Sequence, residues 1–134
     1  MNAPGRQSWL GTAILIGVLY SVIGIVFALP TNHVRGWRLA AWVVSAIVFA
    51  FHIGYEHFRL RSSPATTALH AALAVAVGAF GLAIAANVHE VFVAPSYRRT
   101  LAVALVAWPV ITALPAFVAA LVTAWGLSLI RRRS

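Results

Sequence analysis

Long runs of apolar residues alternate with short polar connections along this chain of 134 residues. A helix rises about 1.5 Å per residue, so a run of roughly 20 apolar residues matches a hydrocarbon core about 30 Å thick. Short connections favour antiparallel neighbours and leave no extramembrane domain. The pattern predicts an all-α fold in which residues 1–134 form a single transmembrane domain, an integral membrane four-helix antiparallel bundle with up-down-up-down order. The predicted spans are residues 9–29, 38–58, 65–88 and 100–130.

Composition places this chain outside the range of soluble globular proteins, since 62% of its residues are hydrophobic and only 9% are charged. A small soluble domain exposes a large surface, and this sequence lacks the polar residues to cover it. We therefore expect a lipid bilayer around the protein. A cleavable signal peptide is the alternative for the first run, but the run is long for that role, and Phe27, Ala28 and Leu29 make a poor cleavage site.

The net charge of +8 comes from ten basic residues, all of them Arg, in short groups between the apolar runs. This distribution argues against nucleic-acid binding and favours topology signals and contacts with anionic lipid head groups. Six Arg fall on the side of the two termini and four on the other, which predicts cytoplasmic termini, and we expect a bacterial inner (plasma) membrane. The small difference leaves dual insertion open. The two sets are Arg6, Arg59, Arg61, Arg131, Arg132 and Arg133, against Arg35, Arg38, Arg98 and Arg99.

Small residues recur four apart in the first and third spans, a pattern that lets helix backbones approach closely in lipid. The third span, rich in Ala, is therefore predicted to be central and to contact the first. The helix-packing positions are Gly17 and Gly24 in the first span, and Gly78 and Gly81 in the third.

Pro109 and Pro115 lie inside the fourth apolar run. Proline removes a backbone donor and clashes with the preceding turn, so we expect a kink there, which would open a cavity. The alternative is that both prolines are tolerated packing features, since membrane helices accept proline readily.

Ionisable residues gather near one end of the second and third spans. His52 and Glu56 are four residues apart and share a helix face, and the hairpin brings His70 to a similar depth. Two His and one carboxylate suit a transition metal such as Zn, Fe or Mn, so these three residues are the predicted metal ligands. The alternative is that Glu56 is hydrated, or paired with Arg59 or Arg61, and that the histidines are ordinary buried ones.

A polar cluster is predicted from His57, His89 and Glu90, which close the second and third spans. His89 and Glu90 lie nearly 30 Å from His70 at about 1.5 Å per residue, and we place them at the start of the last loop. An interfacial ion-pair cluster with His33 and nearby Arg is the simpler interpretation. The alternative is that His89 and Glu90 form a second metal, proton or haem site. With one haem near each membrane surface, His52 would pair with His70 at one site and His33 with His89 at the other.

No phosphate-binding Gly-rich loop, nucleophile elbow or HExxH sequence is present, and the absence of Cys excludes disulfides and iron–sulfur clusters. We therefore favour a non-enzymatic role: a small transport or channel unit that forms a homo-oligomer, or an accessory subunit of a larger membrane complex. The alternative is a membrane redox protein that binds a metal or haem through His52, Glu56 and His70.

Overall fold

Four helices make up the part of the chain that a computed structural model describes, namely residues 6–93 and 98–133, with side chains over residues 9–88 and 103–130. No strand occurs in these ranges, so the all-α prediction is confirmed. The helices are α1 (Arg6–Ala28), α2 (Val34–Phe58), α3 (Pro64–Val93) and α4 (Arg98–Arg133).

Each helix contains a stretch long and apolar enough to cross a membrane, as predicted. Large apolar side chains point outward on all four helices; Trp42 is 76% exposed, Phe51 75% and Val106 70%. Soluble monomers rarely expose apolar patches of this extent, so the outer surface is consistent with a small membrane protein. The stretches are Trp9–Ala28, Val34–Phe58, Pro64–Val88 and Val103–Ile130.

The end of α3 differs from the expected boundary. We expected the last loop to begin at His89, but α3 continues to Val93, so the backbone of His89 and Glu90 is helical. Polar side chains by themselves do not end a helix, and no Gly or Pro occurs between Gly81 and Pro95. Likewise α2 begins at Val34, ahead of the predicted span.

The third helix is central, as predicted, because the two most extensive helix contacts are those of α3 with α4 and with α1. The second helix also reaches the other three, but less extensively, and α1 and α4 do not touch within the described ranges. Ile53 of α2 packs into the seam between α3 and α4. The α3–α4 contact is built from alanines that are 0% exposed, which allows close approach. These alanines are Ala68 and Ala71 on α3 and Ala120 and Ala124 on α4.

The predicted contact between the first and third helices is present, and glycine makes room for it. A Cβ on Gly17 would lie 2.5 Å from Cγ1 of Val77, and one on Gly24 would lie 2.5 Å from Cδ2 of Leu82. From the other side, a Cβ on Gly78 would lie 2.6 Å from the Cβ of Tyr20.

Ser21 adds a polar link to the same contact. Its hydroxyl donates to the carbonyl oxygens of Gly78, at 3.1 Å, and of Gly17, at 3.2 Å. Gly81 faces this side chain and leaves space for it. The α1–α3 contact therefore joins close backbone packing to an interhelical hydrogen bond.

The fourth helix is continuous from Arg98 to Arg133 with Pro109 and Pro115 inside it. The hydroxyl of Thr112 donates to the carbonyl oxygens of Trp108, at 2.8 Å, and Pro109, at 3.1 Å, in the segment where the prolines remove backbone donors.

The turn between α2 and α3 folds back over the end of α2. Arg61 adopts a left-handed conformation with φ 51°, and the Ser62 amide donates to the carbonyl oxygen of Glu56 at 3.2 Å. Ser63 then caps α3, since its hydroxyl accepts from the Thr66 amide at 3.2 Å. This turn places polar groups directly over the end of α2.

Candidate functional site

Ionisable side chains are buried where the end of α2 meets the beginning of α3. Glu56 is 0% exposed, His57 1% and His52 3%, all on α2, and His70 on α3 is 7% exposed. Charged and imidazole side chains are rarely so deeply buried unless they are paired. The interpretation in which Glu56 is hydrated at the helix end is therefore wrong, and Arg59 and Arg61 beside it are exposed.

Glu56 lies between the two histidines that the sequence pattern grouped with it. Its Oε2 is 3.1 Å from Nδ1 of His70, and its Oε1 is 3.8 Å from Nε2 of His52. Each contact is an ion pair only when the imidazole is protonated. The His52 contact follows from the four-residue spacing on α2, and the His70 contact from the hairpin that joins α2 to α3.

Ser62 is a site residue that the sequence did not suggest. Its hydroxyl donates to Oε2 of Glu56 at 2.9 Å, so this oxygen faces both Ser62 and His70. The left-handed turn at Arg61 brings Ser62 back to Glu56. The conformation of the turn decides this contact. Ser62, six residues after Glu56, therefore gave no indication in the sequence that it belongs to the site.

Trp9 is the second site residue missing from the sequence interpretation, where it marked only the start of an apolar run. Its ring stacks on His70, with centroids 4.3 Å apart and planes 5° from parallel. The start of α1 thus covers one face of the imidazole. The sequence did indicate the α1–α3 contact, and this contact brings the beginnings of both helices together, with Trp9 on one and His70 on the other.

Several buried polar atoms at this end of the bundle have no hydrogen-bond partner. They include both ring nitrogens of His52 and of His57, Oε1 of Glu56, and the hydroxyl of Thr67. Nδ1 of His70 likewise makes no aligned hydrogen bond, despite its short distance to Glu56. Such atoms are costly to bury and are uncommon outside functional sites. The site therefore holds more proton donors and acceptors than it uses internally.

The three predicted metal ligands lie close together, and each of the two histidines approaches Glu56. His52 and His70 approach different oxygens of Glu56. Within the described ranges, no three His, Cys, Asp or Glu side chains are arranged to hold a metal ion. Binding of a transition metal or haem by His52, Glu56 and His70 stays a prediction.

The polar cluster predicted from His57, His89 and Glu90 is described only at His57, whose ring meets that of Phe58 edge-on, with centroids 5.1 Å apart. The side chains of His89 and Glu90 lie outside the described ones. His33 is exposed, in a left-handed conformation just before α2.

A shallow apolar groove runs along α2 but does not include the site. Neither Glu56 nor the histidines line it, so the groove offers no path to the carboxylate. Its lining residues are Ile47, Ala50, Phe51, Gly54, Tyr55 and Phe58.

No protein-family model, curated protein or solved structure matches this chain.

Proposed function

We propose that this chain is a small integral membrane protein that binds and releases a proton at Glu56, as the coupling group of a transport unit. The observation that carries the proposal is a fully buried carboxylate with an imidazole beside each of its oxygens. Ionisable side chains at membrane depth are costly, and they mark ion pathways and proton relays.

The proposal places all four helices across the bilayer in up-down-up-down order. The contacts between α1 and α3 support this order, since they advance together from Gly17 and Val77 to Gly24 and Leu82. Phe27 at the end of α1 meets Trp37 at the start of α2 edge-on, with centroids 5.7 Å apart, as expected for antiparallel neighbours. In this order Glu56 lies within the second span, near its end.

A proton suits this site better than a metal ion. An ionised carboxylate removed from water is strongly disfavoured unless it is paired or takes up a proton. Imidazole changes its charge near physiological pH and can either donate or accept a proton. Two histidines beside Glu56 therefore lower the free-energy cost of proton exchange. His52 and His70 face different oxygens of Glu56, and this arrangement supports the sharing of a proton among three groups rather than the enclosure of a cation.

We further propose that the protein works as a homo-oligomer in a bacterial inner membrane with both termini cytoplasmic. The outward apolar faces of α2 and α4 are long enough to pack against copies of the chain as well as lipid. A path for a transported solute would then lie between protomers. The excess of Arg on the side of the termini supports the orientation.

Proton binding is tested directly with purified protein in detergent. Two quantities are measured during acid titration of the native protein and of Glu56→Gln. They are the number of protons taken up per chain and the infrared C=O band of protonated carboxyl groups. We expect the variant to lose one proton and the band of the buried acid. With only two acidic residues in the chain, the spectrum is simple to assign. An unchanged titration in Glu56→Gln would refute the proposal.

Transport is tested in liposomes that contain a pH-sensitive dye, after an imposed pH difference. We expect proton flux with the native protein, loss of flux with Glu56→Gln, and native flux with His33→Gln, which changes an exposed His outside the site. Flux that persists in Glu56→Gln would contradict a coupling role. Stoichiometric metal or a visible absorption band in the purified protein would instead support the redox alternative.

A further inference from the structure

We propose that His70 is the residue through which protons enter and leave Glu56, and that Trp9 positions its imidazole for this transfer. The inference rests on the proposed function, because it assigns the route to the same carboxylate.

Exposure distinguishes Glu56 from the two histidines that face it, and these histidines from each other. The side chain of Glu56 is 0% exposed and that of His52 is 1% exposed, whereas that of His70 is 9% exposed. Nδ1 of His70 is itself buried, so the exposed part of the side chain lies on its other atoms. His70 thus faces Glu56 with one ring nitrogen while another part of the side chain reaches the bundle surface.

The transfer needs no co-reactant besides water. A proton from a water molecule or hydronium binds Nε2 of His70 and gives an imidazolium. Once its Nδ1–H points at Oε2 of Glu56, which lies 3.1 Å away, the imidazolium releases this proton to the carboxylate. The transfer leaves neutral imidazole and neutral carboxylic acid. Release runs in reverse: Oε2 returns its proton to Nδ1, and Nε2 gives its own to water.

Trp9 acts on this transfer through the ring of His70. The near-parallel stack, with planes 5° apart, restricts rotation of the imidazole and keeps Nδ1 on the side of Glu56. A cation over the face of Trp is also attracted by the ring quadrupole, so the stack favours the imidazolium formed in transit. Trp9 is therefore a positioning residue that contacts the relay and not the carboxylate.

The surroundings of His70 contain few other groups that titrate. From α2 it faces Glu56, with His52 on the far carboxylate oxygen. The described side chains of α1 include one titratable group, Tyr20, which packs against Ala13 and Ala74. The described side chains of α4 include none. Among the described side chains, Glu56 is thus the ionisable group that lies against the ring of His70.

Ser62 is the competing entrance, because its hydroxyl also contacts Oε2 of Glu56 and it is only half-buried. A serine hydroxyl is too weak an acid to give up its proton alone, so it stabilises the ionised carboxylate without loading it. Imidazole, in contrast, exchanges protons readily near neutral pH. Entry through His70 predicts slow proton uptake in His70→Gln, whereas entry through Ser62 predicts slow uptake in Ser62→Ala.

The test is the rate at which Glu56 takes up a proton after a rapid drop in pH, followed by its infrared carboxyl band in detergent-solubilised protein. Positioned acid–base groups typically accelerate proton transfer by about 10²–10⁴-fold, so we expect His70→Gln to slow uptake on the order of 100-fold. The final amplitude of the Glu56 band should be retained. We expect Ser62→Ala to keep the native rate within about twofold by the same reasoning.

The role of Trp9 is tested by fluorescence, since an imidazolium stacked on indole quenches its emission. We expect acid-dependent quenching in the native protein, its loss in Trp9→Phe and in His70→Gln, and its retention in Trp125→Phe, which changes a 62% exposed Trp on α4. Trp9→Phe should also slow proton uptake, whereas Trp125→Phe should not.

The outcomes separate the two proposals. No proton uptake by Glu56 in the native protein would refute the proposed function. Native-rate uptake in His70→Gln, with the band of Glu56 intact, would refute only the His70 route, and slow uptake in Ser62→Ala alone would assign entry to the turn. Acid-dependent quenching that survives Trp9→Phe would refute the role of the stack.

Discussion

Gly17→Ala is the sharpest test of the α1–α3 contact, because the two helices leave no room for a methyl group there. A Cβ on Gly17 would lie 2.5 Å from Cγ1 of Val77, 2.6 Å from its Cβ and 2.9 Å from the carbonyl oxygen of Ala74. A Cβ atom and a backbone oxygen do not move when a side chain rotates, so the helices themselves must separate. Gly11 is the matched control on the same helix, since a Cβ there meets no atom within 4 Å.

Two opposing effects set the magnitude. Replacing Gly by Ala in a helix stabilises it by about 0.5–1 kcal/mol, and this gain is common to both variants. Overpacking a tight contact costs about 1–3 kcal/mol, and we take about 2.5 kcal/mol for Gly17 because two of the three obstructing atoms are immobile. The free energy of unfolding should therefore differ by about 2.5 kcal/mol between Gly17→Ala and Gly11→Ala, or roughly 60-fold in the equilibrium constant.

Reversible unfolding in mixed detergent micelles measures this difference, with helix content followed by circular dichroism. We expect Gly17→Ala to unfold at lower denaturing-detergent fraction than the native protein, and Gly11→Ala at equal or higher fraction. Equal effects of the two substitutions would show that α1 and α3 do not approach closely at Gly17.

The same unfolding assay tests two further contacts. Ser21→Ala removes the interhelical hydrogen bond to the carbonyl oxygen of Gly78, and a loss of about 0.6 kcal/mol is expected, the average for such bonds in membrane helices; a stabilised variant would contradict this bond. Ala124→Leu should cost about 1–3 kcal/mol, because Ala124 is 0% exposed against α3. Ala119→Leu, on the exposed side of α4, should change stability by less than about 0.5 kcal/mol. Similar effects of the two Leu variants would argue against the α3–α4 seam.

The four helices were predictable from the sequence because the residues that specify each helix lie within that helix. A run of apolar residues of spanning length must satisfy its backbone hydrogen bonds within itself, so length and hydropathy suffice to find a helix. The boundary at the end of α3 was the exception. His89 and Glu90 suggested a loop, yet the helix continues to Val93 because no residue there breaks it.

Three residues of the candidate site were likewise predictable. The spacing of His52 and Glu56 brings them together on any helix, and a short hairpin brings His70 to their depth. The pattern of small residues identified the faces of α1 and α3 that meet. It could not identify Val77 and Leu82 as the side chains that occupy the space above Gly17 and Gly24.

Only the folded arrangement brought Ser62 and Trp9 to Glu56 and His70. Ser62 reaches the carboxylate because Arg61 adopts a left-handed conformation that residue type does not require, and Trp9 stacks on His70 because α1 and α3 pack in one particular register. Helix formation depends on neighbours along the chain, whereas these contacts depend on a turn angle and on an interhelical register. Both are set by the packing of the whole bundle.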